Sequence, residues 1–382
     1  MTVPQSPEAV PTGWRPEPAP GEAAGVRPAG PAAVLAIDGG NSKTDVALIG
    51  PDGSVLGVAR GGNSNHQGIG RDSTVAVLTE LVRAVAAQAG LTGPGPVARH
   101  TSACLAGADL PEEEAELGAL IAAQGWSTTS TVVNDTFAVL RAGLDDVTSP
   151  AAAGAREHWG IGVTCGAGIN CVGVAPDGRT TRFLALGRIS GDWGGGGDLG
   201  PEALWWAVRA EDGRGPETRL RQAVPAHFGV ARVEDVVIGL HLGKINYSEL
   251  HGLVPVLFEV ASRGDEIAAS VVVHQAEEIC VMAMAAARKL GLAPGSPAPA
   301  RLCEPPQSAL FVPVVLGGSL MTARDPLLLG TIRQRLRREL PGADVRVVDV
   351  PPVAGAALLG LDYVGAGPAA AGRLRESAAA TW

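Results

Sequence analysis

The folded part of this chain opens on short apolar runs, each closed by a turn of small and polar residues. Residues 33–37 are an unbroken apolar run that ends in Asp38-Gly39-Gly40-Asn41-Ser42-Lys43-Thr44-Asp45. A second run, 46–49, leads to the turn Pro51-Asp52-Gly53 and a third run that ends near Ala59. The same order returns near Ile161. There Thr164-Cys165-Gly166-Ala167-Gly168-Ile169-Asn170 precedes Cys171-Val172-Gly173-Val174 and the turn Pro176-Asp177-Gly178. Each copy predicts strand, small-residue turn, strand, Pro-Asp-Gly turn, strand.

The spacing changes after the first copy. Val75, Leu78, Leu81, Val82 and Val85 recur at helical intervals, which predicts a helix over 72–89 that Gly90 and Gly93 end. Strand 101–106, helix 112–123 and short strand 130–133 follow, and a helix begins after Asn134-Asp135. Beyond the second copy, a helix over 201–211 opens a mostly helical stretch to Leu290. Residues 293–307 are Pro-rich and read as a surface loop. A buried strand over 311–316 then meets Gly317-Gly318-Ser319, and strand 344–350 and helix 352–360 close the pattern. The sequence thus predicts a duplicated α/β fold: one unit over 31–143, a second over 144–364, and a cleft between them. Residues 1–30, rich in Pro, Ala, Gly and Glu, and the tail 365–382 are expected to be loose.

Composition narrows the partners. The chain has 382 residues, 46% hydrophobic and 18% charged, with a formal net charge of −9. No basic stretch offsets that charge, so nucleic acid and anionic membrane are not expected partners. Residues 1–30 lack the pattern of a signal peptide, and no apolar run reads as a bilayer span, so a cytoplasmic protein is expected. Cys104, Cys165, Cys171, Cys280 and Cys303 form no Cys-x-x-Cys pair and no zinc spacing, and read as reduced thiols.

The candidate chemistry gathers at the turns. Glycine lets a backbone approach an anion and aim successive N–H groups at it, so the paired glycine turns suit a polyphosphate held between them. Neither turn is a Walker loop, and a strand rather than a helix follows each, unlike a Rossmann turn. Asp38 and Asp135 sit at the C-terminal ends of strands, where α/β sheets bind ligands. From the residues alone, helix capping and base catalysis are equally open for Asp135. Asp192 and Asp198 flank four glycines, and Trp193 between them reads as a loop anchor or a stacking surface.

These motifs resemble the actin/hexokinase superfamily of duplicated ribonuclease H-like (actin-like ATPase) domains. Asp38 to Thr44 resembles its first phosphate loop, Thr164 to Asn170 its second, and Leu316-Gly317-Gly318-Ser319 its adenosine motif. Within it, Ser64-Asn65-His66, Val133-Asn134-Asp135, Gly168-Ile169-Asn170 and Gly191-Asp192-Trp193-Gly194 resemble the N-acetylglucosamine kinase branch of the BadF/BadG/BcrA/BcrD ATPase family. The resemblance implies an ATP-dependent kinase that phosphorylates the 6-hydroxyl of an amino sugar, with Mg2+ near Asp38 and Asp135 as the base. It implies a sugar held by Asn65, His66, Asn134, Asn170 and Asp192. It implies a nucleotide held by Gly39, Gly40, Asn41, Ser42, Lys43, Thr44, Thr164, Gly166, Ala167, Gly168, Gly317, Gly318 and Ser319, and a homodimer. Two departures fall in the sugar half: the second loop lacks a hydroxyl just before Asn170, and Trp193 stands where relatives carry Glu. An activator-type ATPase of the wider family and a non-catalytic sugar sensor are the alternatives.

Overall fold

The computed structural model describes residues 32–144, 158–294 and 311–381. The expected N-terminal extension, most of the Pro-rich loop and Cys303 lie outside them. In chain order the first half contains β1 (Ala32–Gly39), β2 (Thr44–Ile49), β3 (Val55–Gly61), α1 (His66–Ile69), α2 (Arg71–Gln88), β4 (Ala98–Leu105), α3 (Pro111–Ala122), β5 (Ser127–Asn134) and α4 (Asp135–Ala142). The second contains β6 (Gly160–Cys165), β7 (Ile169–Val174), β8 (Thr180–Arg182), α5 (Gly196–Glu211), α6 (Leu220–His227), α7 (Val233–His241), α8 (Leu253–Ser262) and α9 (Glu266–Leu290). It ends with β9 (Val312–Gly317), α10 (Ser319–Thr322), α11 (Pro326–Glu339), β10 (Ala343–Val347), α12 (Pro352–Tyr363) and α13 (Pro368–Thr381).

The strands form two sheets with one topology. Their orders are β3-β2-β1-β4-β5 and β8-β7-β6-β9-β10. In each, the central strand pairs antiparallel with the next strand in sequence and parallel with the strand after the crossover. β1 is buried along its whole length because both of its faces are covered. Leu35 and Ile37 pack toward Leu78, Leu81 and Leu117, while Val34 and Ala36 pack toward Ala356, Ala357 and Leu361. β6 is sandwiched likewise, with Ile161 and Val163 in the core that holds Ile279, Ala283 and Leu290.

Two helices make the layer between the sheets, and each sits on the sheet of the other half. α4 follows the first sheet in sequence but packs more on β6, β7 and β9 than on its own β1, β4 and β5; α12 follows the second but packs on β1, β2 and β4. They cross at Gly355, where a Cβ would stand 1.9 Å from the Ala138 carbonyl oxygen. Arg141 on α4 clamps the crossing through two bonds to Asp362 on α12, 2.7 and 3.1 Å. Sequence periodicity shows each helix's apolar faces but not which sheet receives them.

Two expectations change. The tail is no loose end: α13 buries Ala370, Ala371 and Leu374 against α12 and β3. Its Ala370 carbonyl fits over the β2–β3 turn because Gly53 has no side chain, and its Arg375 donates to the Ala142 carbonyl at 2.7 Å. Among the described residues one helix, α9, is long and apolar enough to cross a bilayer by length and composition. Its buried face instead fills the core of the second half, from Ala268 to Leu290.

β4 also carries a buried histidine. His100 bonds Thr129 and Thr131 on β5 at 3.0 and 3.1 Å and stacks on Tyr363 at 3.8 Å. Burial holds its imidazole down at about 4. The unfolded chain therefore takes up a proton near pH 6.5 that the native chain refuses. The stability that His100 contributes should be full above that pH and fall by about 3 kcal/mol as the pH drops toward 4, against the raised carboxyls of Asp38, Asp109 and Asp135, which favour the fold in the same range. Urea unfolding at a series of pH values checks this. The stability difference between wild type and His100→Gln should change by about 3 kcal/mol over this range, and a difference independent of pH would remove the His100 contribution.

Candidate active site

The two glycine turns occupy equivalent places in the two sheets. The first joins β1 to β2, the second β6 to β7. At the first, Asp38 pairs across the ladder with Asp45; at the second, Thr164 pairs with Asn170. The duplication therefore sets a carboxylate pair in one half and a hydroxyl–amide pair in the other.

Asp45 is held by Arg60, at 2.5 and 3.1 Å, and by Lys43, at 2.8 Å. Burial opposes its charge, but these partners outweigh it and hold its carboxyl below the usual range. Asp38 has no such partner. Burial, then the charges of Asp135 and Asp45, push its carboxyl up to about 8. The Asp135 carboxyl is pushed up to about 6, chiefly by burial. Both groups lack a nearby cation strong enough to balance them.

Asn134 caps α4: its side chain accepts from the Thr136 N–H at 2.9 Å. The Asp135 carboxylate, next in sequence, accepts from Thr136 as well, whose hydroxyl stands 3.4 Å away. Asn134 also accepts from Asn170 Nδ2 at 3.1 Å and donates to Asp109 Oδ1 at 2.8 Å. A second bridge joins the halves through Arg182 on β8 and Glu114 on α3, 2.6 Å apart. Glu114 in turn accepts from the Asn134 backbone N–H.

The structure places the other residues as follows. Asn65 caps α1 and donates to Asn41 Oδ1 at 2.6 Å, tying the loop after β3 to the first glycine turn. His66 is half-buried, 3.9 Å from Glu113. Gly39 packs on Leu105, and Gly40 donates to the Lys43 carbonyl and closes the turn; Ser42 is exposed. Thr44 corrects the phosphate-contact expectation. It is fully buried and its hydroxyl donates to the Gly62 carbonyl at 2.7 Å, so it shapes the loop. Lys43 is likewise engaged by Asp45.

The four-glycine run is a packing surface. Gly196 and Gly197 donate to the Gly166 and Ala167 carbonyls, each at 2.8 Å. A Cβ on Gly195, whose φ is +77°, would stand 2.6 Å from the Gly168 oxygen. On the other flank a Cβ on Gly318 would stand 2.3 Å from the Cys165 oxygen, and Ser319 begins α10 beside Gly166. Gly317 makes room for Val139 of α4. Buried Gln275 of α9 accepts from Gly195 N–H at 2.8 Å. Trp193 stacks on His274 of α9 at 4.1 Å, which makes it the loop's anchor. Asp192 is buried and bonded to Ser190; no bond joins it to Asn65, Asn134 or Asn170 among the described residues.

One carboxylate escaped the sequence reading. Asp109 lies just past β4, and burial, then the Asp135 and Glu113 charges, push it up to about 7. The available signal was Gly107-Ala108-Asp109 at the end of an apolar strand, the first-half counterpart of the turn after β9.

Paired sheets of this one topology, each with a glycine turn between its first two strands, define a two-lobed actin-like ATPase fold. The chain belongs to the BadF/BadG/BcrA/BcrD ATPase family, whose pattern matches residues 35–360. It is 24% identical over 335 residues to an N-acetyl-D-glucosamine kinase of Dictyostelium discoideum, covering 86% of this chain and 97% of the relative. It is 29% identical over 265 residues to an N-acetylmuramic acid/N-acetylglucosamine kinase of Clostridium acetobutylicum, covering 68% and 80%. A solved structure of a candidate N-acetylglucosamine kinase from Chromobacterium violaceum superposes with a TM-score of 0.61 at 22% identity, over 86% of this chain and 99% of that one.

Proposed function

We propose that this chain is an ATP-dependent kinase that phosphorylates the 6-hydroxyl of N-acetylglucosamine or a close amino sugar. The observation that carries the reading is Asp135, at the start of a helix that Asn134 caps and near enough to Asp38 for its charge to push that carboxyl up. Two relatives named as kinases of such sugars support it.

The residues fit a nucleotide and a cation. Thr164 Oγ1 is buried with no hydrogen-bond partner among the described residues, as a donor kept for a phosphate oxygen would be. Asp38, pushed up to about 8 by burial and like charges, is a carboxyl whose ionised form a divalent cation would restore. Bound ATP with Mg2+ supplies a phosphoryl group whose charge the metal neutralises. Asp135 orients the sugar hydroxyl and takes its proton. Asn65, His66, Asn134, Asn170 and Asp192 hold the sugar in this reading, and Asp109 joins them through Asn134. The backbone of the turns Gly39–Asn41 and Gly166–Gly168 would hold the phosphates.

The activator reading is weaker. Its cluster needs accessible thiolates, and Cys165 and Cys171 are buried, with their thiols pushed up by burial. A cytoplasmic homodimer goes with the kinase reading, and light scattering checks the dimer.

The deciding measurement is coupled ADP release with Mg2+ and ATP over N-acetylglucosamine, N-acetylmuramic acid, N-acetylmannosamine, glucosamine and glucose. The highest kcat/KM is expected on N-acetylglucosamine. Binding without turnover on every sugar would replace the kinase by a sensor.

A further inference from the structure

A histidine outside the expected site stands against the second glycine turn with one ring nitrogen fixed and the other free. His251 lies in the 3-10 turn Tyr247–Gly252. Its Nδ1 is 3.0 Å from the Ser248 carbonyl oxygen. A carbonyl only accepts, so in the neutral ring Nδ1 carries the proton and Nε2 keeps a bare lone pair. Nε2 has no bonded partner among the described residues, and the side chain is exposed.

The ring lies over the glycines that hold the turn. A Cβ on Gly196 would stand 2.9 Å from His251 Cδ2, and one on Gly197 would stand 3.7 Å from Nε2. Those two glycines are the donors to Gly166 and Ala167. The histidine's own turn is seated on α5, because a Cβ on Gly200 would stand 2.1 Å from the Leu250 oxygen. Ser319 flanks the same turn, its Oγ 3.8 Å from where a Gly166 Cβ would be. His251 thus flanks the two glycines that hold the turn, and Ser319 flanks the turn itself.

We propose that His251 Nε2 accepts a hydrogen bond from the nucleoside of ATP, from a ribose hydroxyl or the purine amine. The inference rests on the kinase reading and adds a nucleotide-selecting residue to it. A bare lone pair repels a phosphate oxygen, so the partner is one of the donors that only the nucleoside carries. Among relatives' motifs nothing in the sequence marked this position, because the histidine meets the turn through α5 rather than through chain neighbours.

Isothermal titration of the full chain with ADP, 2′-deoxy-ADP, 3′-deoxy-ADP and inosine diphosphate, with Mg2+ and without sugar, tests it. The wild type should bind ADP about tenfold tighter than the one analogue that lacks the matching donor. His251→Phe keeps a flat ring but no acceptor. It should weaken ADP by about tenfold and leave that analogue unchanged, and His251→Gln should recover much of the loss. Equal loss on all four ligands, or no loss, overturns the assignment. If a variant fails to fold, equal wild-type affinity for all four overturns it too. A wild type that binds no ADP sinks the kinase reading itself.

Discussion

Asp135→Asn should lower the rate of sugar-dependent ADP release by about 10³-fold while leaving sugar affinity within a few-fold of wild type. The amide matches the carboxylate in size, so packing at the start of α4 is kept. The helix cap is kept as well, because Asn134 accepts from the Thr136 N–H and the new amide oxygen can still accept from Thr136 as the carboxylate did. What is lost is the basic oxygen that takes the hydroxyl proton. Electrostatics separates this effect from a binding defect. The Asp135 charge is one of the causes that push the Asp38 carboxyl up, so its removal eases ionisation of Asp38. Affinity for ATP with Mg2+ should hold or rise, in contrast to the fall that a damaged nucleotide site gives. Coupled turnover with calorimetry of each ligand separates the cases. Retained turnover sinks the base assignment, and lost sugar affinity would make Asp135 a binding group.

The sheets and their duplication were legible because strands buried on both faces leave unbroken apolar runs, and because glycine turns mark where the runs end. The runs over 33–37 and 46–49 and their second copies near Ile161 fall on β1, β2, β6 and β7. Three kinds of fact were not legible. The exchange of α4 and α12 between the sheets depends on contacts far apart in sequence, as between Ala138 and Gly355. The tail's helix looked loose because Pro, Ala and Gly carry a weak apolar signal, yet Leu374 and two alanines suffice to bury it. The role of Thr44 depended on a partner across strands, Gly62, that a linear motif does not display.

The same chemical change, glycine to alanine, should have opposite effects at two helix positions. At Gly355 the added methyl meets the Ala138 carbonyl of α4, with the oxygen at 1.9 Å and the carbon at 2.7 Å. The nearest neighbours are backbone atoms of Ala138, which cannot rotate aside, so the two central helices must separate by about an ångström or more. Overpacking of this kind costs about 3 kcal/mol. The Arg141–Asp362 clamp resists the shift, so the strain passes along α4 to its first residue, Asp135. Misplacing a reacting group by an ångström costs about 10²-fold in rate, so Gly355→Ala should lower kcat by that order with sugar affinity little changed. Gly118 lies within α3, and no atom stands within 4 Å of its Cβ position. Gly118→Ala should therefore raise stability by about 1 kcal/mol through the lower backbone entropy of alanine, with kcat unchanged. Urea unfolding and kcat on both variants check the pair. Wild-type stability and kcat in Gly355→Ala would mean that the two lobes do not meet through this crossing, and that Asp135 is positioned by its own sheet alone.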